Sequence, residues 1–462
     1  MSDGKVPQCI GAAEDQEDLD EFEVTLDALF AASPGFASRV TLALCLSNAS
    51  DAVETLSLGF AIPKFDGSFG DMRLPAAAVF VGMLAGGCAA GALAEGLGHQ
   101  RLLVKMLYLE ALSALATTAA TGPWQLALCR FSSGIAIGAA VPPIFALAEE
   151  LIHPRQRRHR SLSLIASSFI SGSVLVSLLA WPLSVGWTWQ AFYATTGVVP
   201  LFNAWLVSRW VPESPTFLQH QGRRAELLAE LQRVLPTGPT GPHRPSLCFR
   251  VVQEANDGVI RAIEERSMSG RLQLLRPMDV VLRLAAICFS IAFAWYGLST
   301  WLLQLFQEVG LKHRYITAIA YALSGVPGCV LAILLRCMEP PKLLAFWLLL
   351  TALSCLSISL IKRPSGDDSG PRPFFAALCV CLFNSVATAV FNVLTTVWGA
   401  PFSASLRPFA LGTLSVCMRL GSIVAQFVDG ALVHGHISEM ALVPAVLLGM
   451  SAVACWGIIL PK

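Results

Sequence analysis

The chain has 462 residues, of which 55% are hydrophobic and only 14% charged, and its mean hydropathy is +0.62. Soluble domains carry about 25% charged residues, so this composition excludes a soluble globular protein and indicates a polytopic membrane protein. The net charge of +1 says nothing either way about nucleic acid or acidic partners, and the membrane-protein composition leaves no nucleic-acid partner expected.

The first thirty residues are acidic (Glu14, Asp15, Glu17, Asp18, Asp20, Glu21, Glu23). A secretory leader begins with a basic region, so residues 1–38 are expected to be an acidic cytoplasmic tail, with the first span targeting the chain. Crossing the hydrocarbon core takes about 20 apolar residues. Runs of that kind predict twelve spans, at 39–63, 74–94, 102–120, 125–149, 162–183, 189–210, 280–306, 315–335, 343–361, 373–399, 408–432 and 439–459. The expected fold is therefore an all-α membrane protein with twelve transmembrane helices in two six-helix halves, 39–212 and 280–462. Between them, residues 213–279 read as a cytoplasmic central loop. Leu227, Leu228, Leu231 and Leu235 recur there at helical spacing and predict an amphipathic surface helix over 223–235, followed by a Pro/Gly-rich linker over 237–246.

Charges inside the spans are the chemical signal. Asp51 and Glu54 stand three residues apart in span one, on one helix face. Each costs at least ~2.5 kcal/mol in lipid, so such residues face a bundle interior or a wet cavity. A cation site, a proton site and an ion pair with Arg130 of span four are the three readings. Arg130 is either a conformational coupling residue or a ligand, since a guanidinium can bridge carboxylates on another helix. Arg419 in span eleven has the same two readings. Asp429 lies ten residues further on, about 15 Å along a helix, too far for the two to pair. Asn384 and Asn392 in span ten suit either cavity hydrogen bonding or helix–helix adhesion.

Lys and Arg set the orientation. Arg155, Arg157, Arg158 and Arg160 follow span four, Arg101 and Lys105 follow span two, and Arg407 follows span ten. The 3–4 and 5–6 connections have none, while Lys312 and Arg314 in the 7–8 loop and Lys362 and Arg363 in the 9–10 loop weaken the bias without reversing it. Both termini are thus expected in the cytoplasm. Most of the thirteen cysteines fall in apolar spans and read as small core residues. The sequon at Asn48 lies inside span one, and His434 and His436 read as a solvated turn more readily than as a metal site. No G-x-x-x-x-G-K-[ST], H-E-x-x-H or G-x-S-x-G occurs. Neither an enzyme nor an ATP-driven pump has support, and no cofactor or metal is expected.

Several motifs together resemble the major facilitator superfamily across residues ~22–460. Residues 91–101 (GALAEGLGHQR) are similar to its 2–3 loop signature, with Glu95 as the acidic residue and Arg101 as the surviving base. Arg130, Gly134 and Gly138 match an R-x-x-x-G-x-x-x-G element. Glu150 and Arg158 stand near the family's 4–5 corner, and Arg407 in PFSASLR stands at its second-half counterpart, where Ala400 replaces the usual glutamate. Val211-Pro212-Glu213-Ser214-Pro215 resembles the PESPR element of sugar porters and organic-ion carriers. Asp51-Ala-Val-Glu54, Trp295-Tyr296-Gly297 and Arg419-Leu-Gly421 resemble the synaptic-vesicle-glycoprotein-like and nicotinate-type branches.

The resemblance implies two rocking halves that move a small organic solute by alternating access. It implies coupling roles for Glu95, Arg101, Arg130, Glu150, Arg158, Arg407 and Arg419. It also implies a cavity lined by span seven (Trp295, Tyr296, Gln304), with Asp51, Glu54, Asn384 and Asn392 as substrate or proton ligands. An organic ion is the leading substrate, with protons a candidate partner, in a plasma or internal vesicle membrane. A sugar carrier, or a non-transporting binding protein on the same scaffold, is the alternative.

Overall fold

The computed structural model describes residues 35–65, 70–152, 155–223, 225–227, 229–230, 278–335, 339–361, 372–398, 401–402 and 407–455. These are helical, with short turns between helices. In chain order the helices are α1 (Phe36–Ala61), α2 (Arg73–Leu97), α3 (His99–Thr117), α4 (Pro123–Leu151), α5 (Arg155–Ala180), α6 (Trp189–Trp210) and a short α7 (Pro215–His220). After the central loop come α8 (Met278–Thr300), α9 (Leu302–Glu308), α10 (Arg314–Leu323), α11 (Gly325–Leu334), α12 (Pro340–Ser359), α13 (Arg372–Val397), α14 (Arg407–Leu432) and α15 (Ile437–Cys455). Nine stretches among the described residues are long and apolar enough to cross a membrane. Three further long helices, α1, α3 and α6, fall short by composition. The first two carry Asp51, Glu54, Arg101, Lys105 and Glu110. With them the arrangement is consistent with twelve crossings.

Two expected spans are broken. Span seven, expected over 280–306, stops at Thr300 and resumes at Leu302. The Thr300 hydroxyl donates to the Tyr296 carbonyl at 2.8 Å, a local bond that competes with the helix ladder. Span eight, expected over 315–335, breaks at Ser324. Pro327 offers no N–H to the Leu323 carbonyl four residues earlier, and Ser324 Oγ caps the Tyr321 carbonyl at 2.6 Å. The amphipathic helix expected over 223–235 is described only in its first turn, where Leu227 is buried against the first-half core. The 237–246 linker and nearly all of the acidic tail lie outside the described residues.

Close packing follows the glycines. Gly82 and Gly86 on α2 face Gly134 and Gly138 on α4, and a Cβ on any of the four would strike the other helix's backbone. Helices without side chains at such positions approach closely. Gly172 brings α5 onto α1 at Ala49, and Gly421 brings α14 onto α8 at Phe289. Gly328 brings α11 onto α13 at Ser385. The pairs α1–α5, α2–α4 and α3–α6 thus recur later in the chain as α8–α14, α11–α13 and α12–α15. The two sets meet along α2–α14 and α5–α10, and where α1 touches α8 and α9.

Candidate functional site

A cavity of about 270 Å³ lies between the two sets of helices. Phe145 and Phe169 supply rings from one side, and Trp295, Tyr296, Phe391 and Trp398 supply them from the other. The polar lining is neutral and includes Asn48, Asn384 and Asn392. Trp295 is the central ring. It meets Phe169 edge-on at 5.7 Å, Tyr296 at 4.8 Å and Phe391 at 5.9 Å. Its indole N–H donates to Asn384 Oδ1 at 2.9 Å. The Asn384 amide nitrogen then donates to the Tyr321 carbonyl at 2.7 Å and to Ser324 Oγ at 3.2 Å. One amide therefore ties α8, α13 and the α10–α11 break together. Asn48 donates to the Ile165 carbonyl at 2.8 Å, and Asn392 to the Thr388 carbonyl at 2.9 Å and Cys329 Sγ at 3.2 Å. Gln304 does not reach the cavity. It is buried on α9, and neither amide atom has a hydrogen-bond partner among the described residues.

The charged residues of span one form a second centre, within the core of the first six helices. Arg130 and Glu54 are fully buried and pair at 3.2 Å. The guanidinium also donates to Ser57 Oγ at 3.2 Å and to the Glu54 carbonyl oxygen. Ser133 Oγ donates to the same carboxylate at 3.3 Å. Glu54 is thus the acid that neutralises Arg130, and Asp51 is not. Asp51 turns toward Glu110 on α3, a residue that reading the sequence missed. Its signal was present: Glu110 is the one acidic residue inside an otherwise apolar run, as conspicuous as Asp51. Arg419 sits half-buried on α14, and its charge reaches Asp51. Neither Asp51, Glu54 nor Arg419 lines the cavity.

The loop-facing coupling residues are rearranged as well. Glu95 is exposed, and it is Glu213, from the PESP element, that ties the helix ends. Its carboxylate accepts from the backbone N–H of Gln100 at 2.9 Å, of Arg101 at 3.3 Å and of its neighbour Ser214 at 3.0 Å. An acidic group at the first turn of α3 meets donors that lack helical partners. Gly98 makes room for it: φ is +93°, and a Cβ there would strike the Glu213 carboxylate. Arg101 pairs with Glu226 at 2.7 Å. The guanidiniums of Arg223 and Arg101 together hold the Glu226 carboxyl below its usual range. At the 4–5 corner, Arg158 Nε donates to the Ile152 carbonyl at 3.2 Å, capping the end of α4 two residues beyond Glu150. Arg407 is the first residue of α14, and its side chain lies outside the described ones.

Comparison with known proteins fits this geometry. The Major Facilitator Superfamily profile matches residues 40–364. Synaptic vesicle glycoprotein 2B of Rattus norvegicus is 26% identical over 348 residues, which is 65% of this chain and 50% of that protein. Synaptic vesicle glycoprotein 2A of Rattus norvegicus is 23% identical over 369 residues, or 70% and 48%. The chain spans about half the length of the curated relatives it matches. Among solved structures, the inward-open xylose transporter XylE from E. coli superposes with a TM-score of 0.69 over 92% of this chain and 97% of that one, at 17% identity. At that identity the likeness is one of fold.

Proposed function

The chain belongs to the Major Facilitator Superfamily, and on that premise we propose that it carries a small, ring-bearing organic solute across a membrane by alternating access, an organic ion before a sugar. The carrying observation is the cavity itself: aromatic on both sides, neutral in its polar lining, and placed between the two sets of helices. Pockets that bury small ligands are mostly apolar, with a few placed polar groups. A flat ring stacks on Trp295 or Trp398, and a cationic centre is met by their π faces rather than by a carboxylate.

The sugar reading is less well served. A sugar needs free amides, whereas Asn384 has both ends of its amide engaged within the protein. The notion of Asp51 or Glu54 as a direct ligand for a cation is likewise unsupported by their place outside the lining. Arg130 with Glu54, Glu213 with Arg101, and Arg158 are read as residues that hold helix ends and helix pairs through the transport cycle. Both termini are placed in the cytoplasm on the strength of the basic 4–5 loop.

Counterflow in proteoliposomes tests this with three probes: a nicotinate-like aromatic anion, a quaternary ammonium and a pentose. We expect exchange of at least one ring-bearing or cationic probe. Trp295→Ala should weaken it roughly 2- to 30-fold, the range that corresponds to about 0.5–2 kcal/mol for a ring–cation contact. Exchange of the pentose alone would return the assignment to a sugar. Absence of exchange with every probe would favour a binding protein on a transporter scaffold.

A further inference from the structure

Asp51 is 2% exposed and Glu110 is 0% exposed, on neighbouring helices α1 and α3. None of their four carboxylate oxygens meets a donor from the described residues. The two carboxyls nevertheless lie within hydrogen-bond reach of one another. Ionised carboxylates only accept, so two of them facing each other form no bond until one carries a proton. Like charges at such range in a dry core strongly oppose each other.

The surroundings do not supply the missing positive charge. On α1, Glu54 adds a third acid. On α4, Arg130 is committed to Glu54, Ser57 and the Glu54 carbonyl, and Cys129 is a thiol. Tyr193 on α6 contributes a phenol, neutral and turned toward Ser57. Helices α2 and α5 carry their charged residues only at their ends. On α8, Asp279 and Arg283 lie in the first two turns, leaving Tyr296 further along. The charge of Arg130 reaches Glu110, and that of Arg419 on α14, from the other set of helices, reaches Asp51. Within the described part of the first six helices, the three acids Asp51, Glu54 and Glu110 therefore share one base, Arg130, whose hydrogen bonds go to Glu54 and Ser57.

We propose that Asp51 and Glu110 hold a single proton between them, as a buried carboxyl–carboxylate pair that is the proton-binding site of the first six helices. One group is the O–H donor and the other the acceptor, so the pair carries one negative charge rather than two. Its use to drive a solute rests on the transporter reading above. In that cycle, movement of α14 relative to α1 changes the distance of Arg419 from the pair, and with it the ease of losing the proton.

Infrared difference spectroscopy of the purified full chain in detergent tests the site without any substrate. At about pH 7, well above the ordinary carboxylate range of about 4, the protein should show a protonated-carboxyl C=O band that shifts in D₂O. Asp51→Asn and Glu110→Gln should each remove it, and Asp429→Asn, at a buried acid on α14, should keep it. Either single variant suffices if the other fails to fold. A band that survives both substitutions, or no band in the unaltered protein, overturns the proposal. So does thermal stabilisation by sodium ions at pH 7 that is lost in Glu110→Gln, which would assign the pair to a metal cation. None of these outcomes depends on transport, so failure of the counterflow assay leaves the proton site standing or falling on its own.

Discussion

At the scale of single residues, the buried Arg130–Glu54 pair separates two roles of charge. Removing one partner of a closed pair leaves the other uncompensated, at a cost of about 3–5 kcal/mol. Glu54→Gln should therefore lower the unfolding temperature in detergent markedly. Arg130→Lys should keep more of the stability yet lose counterflow, because an ammonium cannot span Glu54 and Ser57 together. Unfolding temperatures equal to that of the unaltered protein would remove the pair from the stability of the first helices. Sequence showed that Asp51, Glu54 and Arg130 were expensive in lipid. It did not show which carboxylate meets the arginine. Residues three apart share a face only broadly, and the rotation of α1 against α4 and α3 decides the partners. That rotation is fixed by contacts such as Gly172 against Ala49, far away in sequence.

At the scale of elements, the α2–α4 seam should be far more sensitive than exposed helix surface. Gly134→Val forces apart backbones that now touch, and overpacking of this kind costs about 1–3 kcal/mol or more. Gly449→Ala on α15, with nothing within 4 Å of its Cβ position, should be neutral or slightly stabilising, because helix propensity favours alanine. Expression yield and thermal unfolding of the two variants measure the contrast, and equal behaviour would contradict the seam. Helix order was legible from apolar runs alone, and the described helices are consistent with the expected twelve crossings. The breaks were less so. Pro327 marked span eight through its missing N–H, whereas the break at Trp301 goes with a back-bond from the Thr300 hydroxyl to the Tyr296 carbonyl. The Glu213 clasp was hidden for a similar reason: PESP and the 2–3 loop are more than a hundred residues apart.

At the scale of the whole molecule, the twelve crossings with which the described helices are consistent would place both ends on one side. Tags at either end should be protected in intact cells and become accessible on permeabilisation, and labelling without permeabilisation would reverse the orientation. The recurrence of three helix pairings shows the kinship of the two sets, which the faded loop motifs had obscured. It also distinguishes two kinds of joint. Inside each set, glycine lets backbones press together, as at Gly82 and Gly86 against Gly134 and Gly138. Between the sets, α1 meets α8 where Gly59 lies against the Thr300 carbonyl, and the nearby Tyr315 hydroxyl reaches the Phe60 carbonyl at 3.4 Å. On the proposed alternating-access cycle, this contact is the place where a bulkier residue would act as a doorstop. A single methyl group at position 59 would hold that end ajar without unfolding anything, shifting the balance between open and shut states. Gly59→Ala should therefore leave the unfolding temperature nearly unchanged while speeding maleimide labelling of a cysteine placed at Phe60. That outcome would make residue 59 a setting of the molecule's resting posture, adjustable by one carbon atom.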